Sequence, residues 1–376
     1  MKIYRVAIIG LGGMGNNHAL AVQADNGCQL VGGAEIDPKR AHAWKERFGV
    51  EAVFDDYEKM LDQLEPDIII NSTQSPLHYA PTLAAARRGI HIFCEKPMAR
   101  NLVQADEMVQ VCDKYKVKLA INHIKRVSLY NDLVLDLIKR GEIGQLIRLK
   151  AIDKGGRKSG NALMAMGTHL YDWMRLFAGD VEWAHAHLLQ LDGRESTVYD
   201  IKDAQEINPK DQNDGLVLGE RCFASFRFKS GVHAEAAFLA EPQGNDRGYG
   251  IDLIGTEGRI AVRESVGTTM LIHRGQHHLP EQKWEQIHIE TEDNNEEGQP
   301  RKNRGRLFLQ RLMIRDLIAA IEEDRDPAAS GRGGVASMEM INLTWESHRR
   351  KERVYAPLTP REHPLERWRR EEGVDS

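Results

Sequence analysis

Four groups of residues have types and spacings able to do chemistry. The first is Gly10-Leu11-Gly12-Gly13-Met14-Gly15, a G-x-G-x-x-G turn. It follows an apolar strand-like run and opens a helical stretch, the setting in which such a turn holds a dinucleotide pyrophosphate. Gly10 permits the tight turn, Gly12 lets the backbone approach the phosphates, and Gly15 lets the helix pack close to the strand. Uncapped N–H groups at the helix start, aided by the helix dipole, then face the anion, so Gly10, Gly12, Gly13, Met14 and Gly15 are expected cofactor residues. The second group is Glu35, 20 residues after Gly15 at the end of the next apolar run. A carboxylate there accepts from ribose hydroxyls and repels a 2′-phosphate, which favours NAD over NADP. Lys39 and Arg40 follow closely and read as solvated charges on a helix face.

The third group is Cys94-Glu95-Lys96-Pro97-Met98, immediately after a short apolar run. Ligands of open α/β sheets sit beyond the carboxyl ends of the strands, so Lys96 is placed where a nicotinamide crevice would lie. The fourth is Gly167-Thr168-His169-Leu170-Tyr171-Asp172. His169 and Asp172 are three apart and share one face of a helix. A histidine can take or give the proton that moves when a carbinol is oxidised, so Lys96, His169 and Asp172 are the candidate catalytic residues. The basic run Lys154-Gly155-Gly156-Arg157-Lys158 precedes this group. It is either a site for an anionic substrate group, through Lys154 and Arg157, or a solvated loop. His18 is expected to pack or hydrogen-bond near the first helix.

The elements that must position these groups alternate. Strands are expected over residues 3–9, 30–35, 52–54, 68–71, 90–94 and 118–122, with helices between them. Asp37-Pro38 has the N-cap and first-turn signature of a helix start. Six strand–helix alternations predict an N-terminal Rossmann, doubly wound parallel sheet over residues 1–123. Beyond Asn122 the pattern changes to longer strand-like runs, among them 146–152, 183–190, 220–228, 232–239, 251–255, 259–262 and 270–273. Helices are expected near 129–140, 164–177, 306–323 and 335–351. These predict an α+β domain over 124–376 with a large, mostly antiparallel open sheet. Residues 281–306 read as an exposed strand and loop, and the last 25 or so, charged and with three prolines, as a surface wrap.

In order and spacing the motifs resemble the Gfo/Idh/MocA oxidoreductase family. The resemblance runs through GLGGMGNNH at 10–18, Ser72-Thr73 to His78, EKP at 95–97 and RGEIGQL at 140–146. It continues through GTHLYD at 167–172 and IGTEGRIAV at 254–262. It implies a Rossmann domain followed by an α/β domain whose open sheet often forms the oligomer interface, hence a homodimer or homotetramer. It also implies a sugar, sugar-derivative or cyclitol substrate, with Lys96 as the catalytic lysine and His169 beside the reacting carbon. By the same resemblance Thr73, His78 and Glu95 line the cofactor side, with Lys96, and Arg126 lies near the substrate with His169 and Asp172. The chain departs from the pattern at Ala165, where the family often carries an aspartate, and at Gln74, after Thr73. The missing aspartate leaves open a second reaction class, a glycosidase that oxidises its sugar transiently on NAD and then re-reduces it. A third reading is an NAD sensor without catalysis.

Bulk properties bound the rest. Charged residues make up 28% of the chain and its formal net charge is -5, which offers no basic footprint for nucleic acid. Four widely spaced cysteines, with no C-x-x-C pair, predict neither a zinc site nor a disulfide framework. No metal is expected. No apolar run reaches a membrane span of about 18 residues, and the start of the chain enters a strand with no signal-peptide h-region, so the expected compartment is the cytoplasm.

Overall fold

The computed structural model describes residues 2–156, 163–209, 215–240, 248–264, 268–276, 283–288 and 304–374. The chain forms two compact units, one of residues 1–127 and 303–335, the other of 128–302 and 336–376.

The first unit is a six-stranded sheet of β1 (Tyr4–Ile9), β2 (Cys28–Ala34), β3 (Val53–Phe54), β4 (Ile68–Asn71), β5 (His91–Cys94) and β6 (Leu119–Ile121). All neighbours are parallel and the spatial order is β3-β2-β1-β4-β5-β6. That is the Rossmann order, in which the order of strands reverses between β1 and β4 and leaves the ligand crevice beyond their carboxyl ends. Strands such as β4, buried at every position, read as continuous apolar runs because helices cover both faces. The crossovers are α1 (Gly13–Gln23), α2 (Pro38–Phe48), α3 (Tyr57–Leu64), α4 (Tyr79–Arg87) and α5 (Leu102–Lys114). Their starts follow capping chemistry: the side chains of Asp37, Asp56 and Asn101 each accept first-turn N–H groups.

The chain returns to this unit late. The sequence placed all of 124–376 in a second domain, but Met313, Ile314 and Leu317 join the core of Val6, Ile8, Ala19 and Val22. Arg315 Nε donates to Asp25 Oδ2 at 2.6 Å and Lys118 Nζ to Asp324 Oδ1 at 2.7 Å. A linear reading sees the apolar stripe of residues 306–323, not the surface that it covers.

The second unit begins with α6 (Leu129–Lys139) and β7 (Leu146–Ile152), and continues with α7 (Thr168–Ala178) and β8 (Val181–Leu189). A small ribbon, β9 (Lys202–Asp203) with β10 (Leu216–Val217), brackets α8 (Ala204–Ile207). Then come β11 (Arg221–Phe228), β12 (His233–Leu239), β13 (Gly250–Gly255), β14 (Gly258–Glu264), β15 (Thr268–Arg274) and β16 (Glu285–Ile287). α9 (Arg304–Glu322) belongs to the first unit, and α10 (Gly331–Arg350), β17 (Val354–Tyr355) and α11 (Pro364–Glu371) complete the chain. The large sheet runs β16-β15-β14-β13-β7-β12-β11-β8-β17. Only β7 with β12 is parallel. On one face Tyr171 of α7 packs edge-on against Phe226 and Phe238, with ring centroids 4.9 and 5.7 Å away. The opposite face carries exposed residues at alternate positions, Phe223 and His187 among them, as period-2 strands require.

The 281–306 segment contains the exposed edge strand β16, as expected, and the start of α9, while its residues 281–282 and 289–303 lie outside the described part. The C-terminal segment is not a loose wrap: β17 pairs with β8, and Leu358 and Leu365 are buried in the unit.

Candidate active site

The glycine turn is built by steric exclusion. Gly10 has φ +84°, and a Cβ on it would lie 2.9 Å from the Thr73 nitrogen. A Cβ on Gly15 would lie 2.1 Å from the Gly10 carbonyl oxygen, so no other residue lets α1 start so close to β1. Ser72 Oγ donates to the same Gly10 oxygen at 2.6 Å, and Asn16 Nδ2 donates to the Leu11 and Gly12 carbonyls. Gly12 and Gly13 face open space: a Cβ on Gly13 meets nothing within 4 Å, and one on Gly12 meets only Arg40 Nη1 at 3.9 Å. The first turn of α1 has no side-chain cap and no acidic residue. Vacant space over uncapped N–H donors, with Met14 in the same turn, fits a pyrophosphate.

Glu35 is 8% exposed. Its Oε2 accepts the Leu11 N–H at 3.0 Å and its Oε1 the Asp37 N–H at 3.1 Å. A carboxylate has about four acceptor positions, so capacity for two ribose hydroxyls remains. Arg40 is exposed on α2, as expected of it, and also reaches two carboxylates. Its Nε donates to Asp37 Oδ2 at 3.2 Å and its Nη2 lies 3.5 Å from Glu35 Oε1. Two carboxylates at the end of β2 draw the guanidinium back over the glycine turn.

Three adjacent strand ends, β4, β5 and β6, hold the Lys96 turn. Glu95 is buried and its Oε1 meets His18 Nε2 at 2.7 Å and the Asn122 amide at 2.7 Å. Burial pushes the Glu95 carboxyl up, but His18, then the Lys96 charge and the Asn122 bond, together outweigh it and hold the group below its ordinary value. Its Oε2 accepts the Lys96 N–H at 3.2 Å. Thus Glu95, expected to line the cofactor side, is an anchor inside the fold, and His18, on α1 itself, hydrogen-bonds to it and packs edge-on against Phe93. Asn71, at the end of β4, was not singled out in the sequence. Its Oδ1 accepts from Thr73 Oγ1 at 2.8 Å, and its Nδ2 donates to the His78 carbonyl at 2.9 Å. The signal available was a polar residue closing the apolar run Ile68-Ile69-Ile70. His78 is also buried, with Nδ1 at 2.9 Å from the Pro97 carbonyl and Nε2 at 3.0 Å from the Thr73 carbonyl. Burial pushes its pKa down, against the pull of the two carbonyls. Arg126 stands half-buried just beyond β6 in the turn Ile124–Val127.

In the second unit, residues 163–167 form a wide helical turn that runs into α7. Ala165 is buried there, so the turn before His169 has a methyl group where a carboxylate would stand. His169 is half-buried on the first turn of α7. Asp172 is 1% exposed, and Arg175 Nη1 lies 3.8 Å from its carboxylate. Lys154 places its ammonium 5.1 Å from the Tyr249 ring centroid, a cation–π contact. Arg157 lies outside the described residues. Among the described residues no group of His, Cys, Asp and Glu could hold a metal ion, and no helix is long and apolar enough to cross a membrane.

Residues 4–123 match an oxidoreductase family with an NAD-binding Rossmann fold, and residues 152–356 match the C-terminal alpha/beta domain of the same family. The chain belongs to the Gfo/Idh/MocA oxidoreductase family. Within that family it is 27% identical over 246 residues to the D-glucoside 3-dehydrogenase of Escherichia coli, covering 58% of this chain and 70% of that one. It is 26% identical over 184 residues to the myo-inositol 2-dehydrogenase of Thermotoga maritima, covering 47% of this chain and 55% of that one. The match to the latter thus spans little more than half of that relative. A levoglucosan dehydrogenase, solved with NADH and levoglucosan, shares the fold with a TM-score of 0.77 at 20% identity, over 95% of this chain and 100% of that one.

Proposed function

We propose that this Gfo/Idh/MocA protein transfers hydride between a hydroxyl of a sugar, sugar derivative or cyclitol and NAD. The observation that carries the reading is the Lys96 turn, set at the carboxyl end of β5 and anchored through Glu95 to His18 and Asn122. When bound, the nicotinamide supplies the hydride acceptor. Lys96 removes the hydroxyl proton and, as an ammonium, steadies the developing alkoxide. His169 is the second proton-handling group, and Asp172 serves α7 beneath it. Relatives named for a D-glucoside, myo-inositol, glucose 6-phosphate and D-apiose support a polyol-type substrate. The homodimer or homotetramer and the cytoplasmic setting belong to the same reading. The exposed aromatic and histidine positions of the large sheet and the four free cysteines support them.

The test is an absorbance screen with NAD and NADP against D-glucose, methyl glucosides, glucose 6-phosphate, myo-inositol and levoglucosan. A dehydrogenase forms NADH in proportion to product. Ala165 keeps a second reading in view, because a relay through the customary aspartate is missing. In that redox-neutral glycosidase a glycoside releases its aglycone on catalytic NAD with no net NADH. Binding of NAD without turnover of any panel member favours the sensor reading.

Glu35 carries the cofactor preference in this proposal. Replacing it with Ser removes one charge-assisted acceptor and leaves Arg40 beside the same position. At about 1.5–3 kcal/mol for a hydrogen bond to a charged group, NAD binding of Glu35→Ser weakens roughly ten- to hundredfold. NADP binding tightens, because Arg40 no longer answers to the Glu35 carboxylate. Fluorescence titration with NADH and NADPH reads both changes; an unchanged preference would remove Glu35 from the discrimination.

A further inference from the structure

We infer that His78 is a positioning residue for Lys96, tying the loop after β4 to the turn after β5 through a single imidazole. The inference rests on the proposed role of Lys96. It departs from the expectation that His78 lines the cofactor side.

The geometry is specific. β4 and β5 are adjacent and parallel, with Asn71 opposite Cys94 in register. The chain leaves each at the same edge of the sheet, where the last ladder bond runs from the Glu95 N–H to the Asn71 carbonyl at 2.9 Å. Beyond it His78 joins the two loops. Its ring nitrogens lie 2.9 Å from the Pro97 carbonyl and 3.0 Å from the Thr73 carbonyl. A neutral ring donates to one carbonyl at a time and an imidazolium to both. His78 is 1% exposed, so its ring is held between the two loops. The His78 backbone is fixed in turn, since Asn71 Nδ2 donates to the His78 carbonyl at 2.9 Å and to Thr82 Oγ1 at 3.3 Å. Lys96 therefore lies between two anchors. On one side Glu95 is held by His18 and Asn122, and on the other the Pro97 carbonyl is held by His78. Losing the second anchor frees the turn to pivot about the first. A pivot of about 1 Å at a catalytic group costs on the order of 10²-fold in rate.

The test compares His78→Leu, which removes both ring nitrogens, with His78→Gln, which keeps one donor. Both are read by NADH fluorescence titration, amide hydrogen exchange and turnover of the panel compound that wild type oxidises fastest. For His78→Leu we expect NADH affinity within about threefold of wild type and kcat lower by roughly 10²-fold. Exchange rises in both 72–79 and 96–100, with β1 and β2 unchanged, and His78→Gln recovers part of kcat. Exchange that rises only in 72–79, or kcat that stays at the wild-type value, overturns the inference. A fall in NADH affinity equal to the fall in kcat also overturns it, since that is the mark of a cofactor-lining residue. If His78→Leu does not fold, the same readouts on His78→Gln decide. Lys96→Met, assayed in parallel, separates the two claims. Wild-type turnover in Lys96→Met overturns the role of Lys96, while the exchange data still decide whether His78 ties the loops.

Discussion

Replacing Lys96 with Met leaves NADH affinity within about threefold of wild type and lowers kcat on an accepted polyol by roughly 10²–10⁴-fold, the span of a lost general base or acid. Met keeps the length and most of the apolar stem while removing the ammonium, so the packing of the turn is preserved. The anchors do not depend on the side chain: Glu95 accepts the Lys96 backbone N–H at 3.2 Å and is held by His18 and Asn122. Affinity for the dinucleotide rests elsewhere, on the open first turn of α1 and on Glu35. The two effects therefore separate, and steady-state kinetics beside a fluorescence titration reads them independently. Turnover near the wild-type value removes Lys96 from the chemistry. A large loss of NADH affinity with kcat preserved assigns Lys96 to cofactor binding alone.

Much of the first unit is legible because its rules are local. An apolar run followed by glycines, an aspartate before Pro38 and a second run ending in Glu35 each declare themselves within a few residues. The sequence places a helix near 335–351, after Gly331, Gly333 and Gly334. The helix in fact begins at Gly331. A Cβ on Gly334 would lie 2.7 Å from Met98 Sδ, and one on Gly331 2.7 Å from Leu119 Cδ2, so these glycines permit close packing on β6 and the Lys96 turn. That reason lies more than 200 residues away in the chain. The supporting residues of the site were hidden similarly. Asn122 and Ser72 are single polar residues whose partners come from neighbouring strand ends, and only the sheet order brings them together, while Asn71 bonds within the loop and helix that follow it. Arg40 reaches solvent, as a charge on an amphipathic helix does, while its approach to Glu35 arises only in the fold.

The largest loss of stability is expected from Glu346, far from any group assigned to chemistry. Its side chain is wholly buried on α10 and accepts from three arginines. Arg349 donates at 3.0 Å, and Arg350 and Arg367 also bond to the same carboxylate. Arg367 comes from α11 and is itself buried, so this carboxylate fastens the C-terminal helix to the unit. Burial raises the Glu346 carboxyl, but the bonds from Arg349 and Arg350 prevail and hold it below its ordinary value. Glu346→Gln leaves the buried Arg367 against a neutral amide, with the more distant Glu371 carboxylate 3.7 Å away. Breaking a buried pair by removing one partner costs about 3–5 kcal/mol, enough to threaten a unit of ordinary stability. Arg349 and Arg350 contribute less to this loss, because both reach solvent and Arg349 also bonds Glu371. Since the folded carboxyl titrates lower than the unfolded one, its contribution is fully present above the unfolded pKa, near 4.3 for a free Glu. It disappears as the pH falls from there through the folded value. Chemical unfolding at pH 7 should therefore show a large gap between wild type and Glu346→Gln. The gap should narrow below about pH 4.3 as the wild-type carboxyl takes up its proton. A Glu346→Gln variant as stable as wild type at pH 7 would show that α11 is held by its apolar contacts through Leu365 alone.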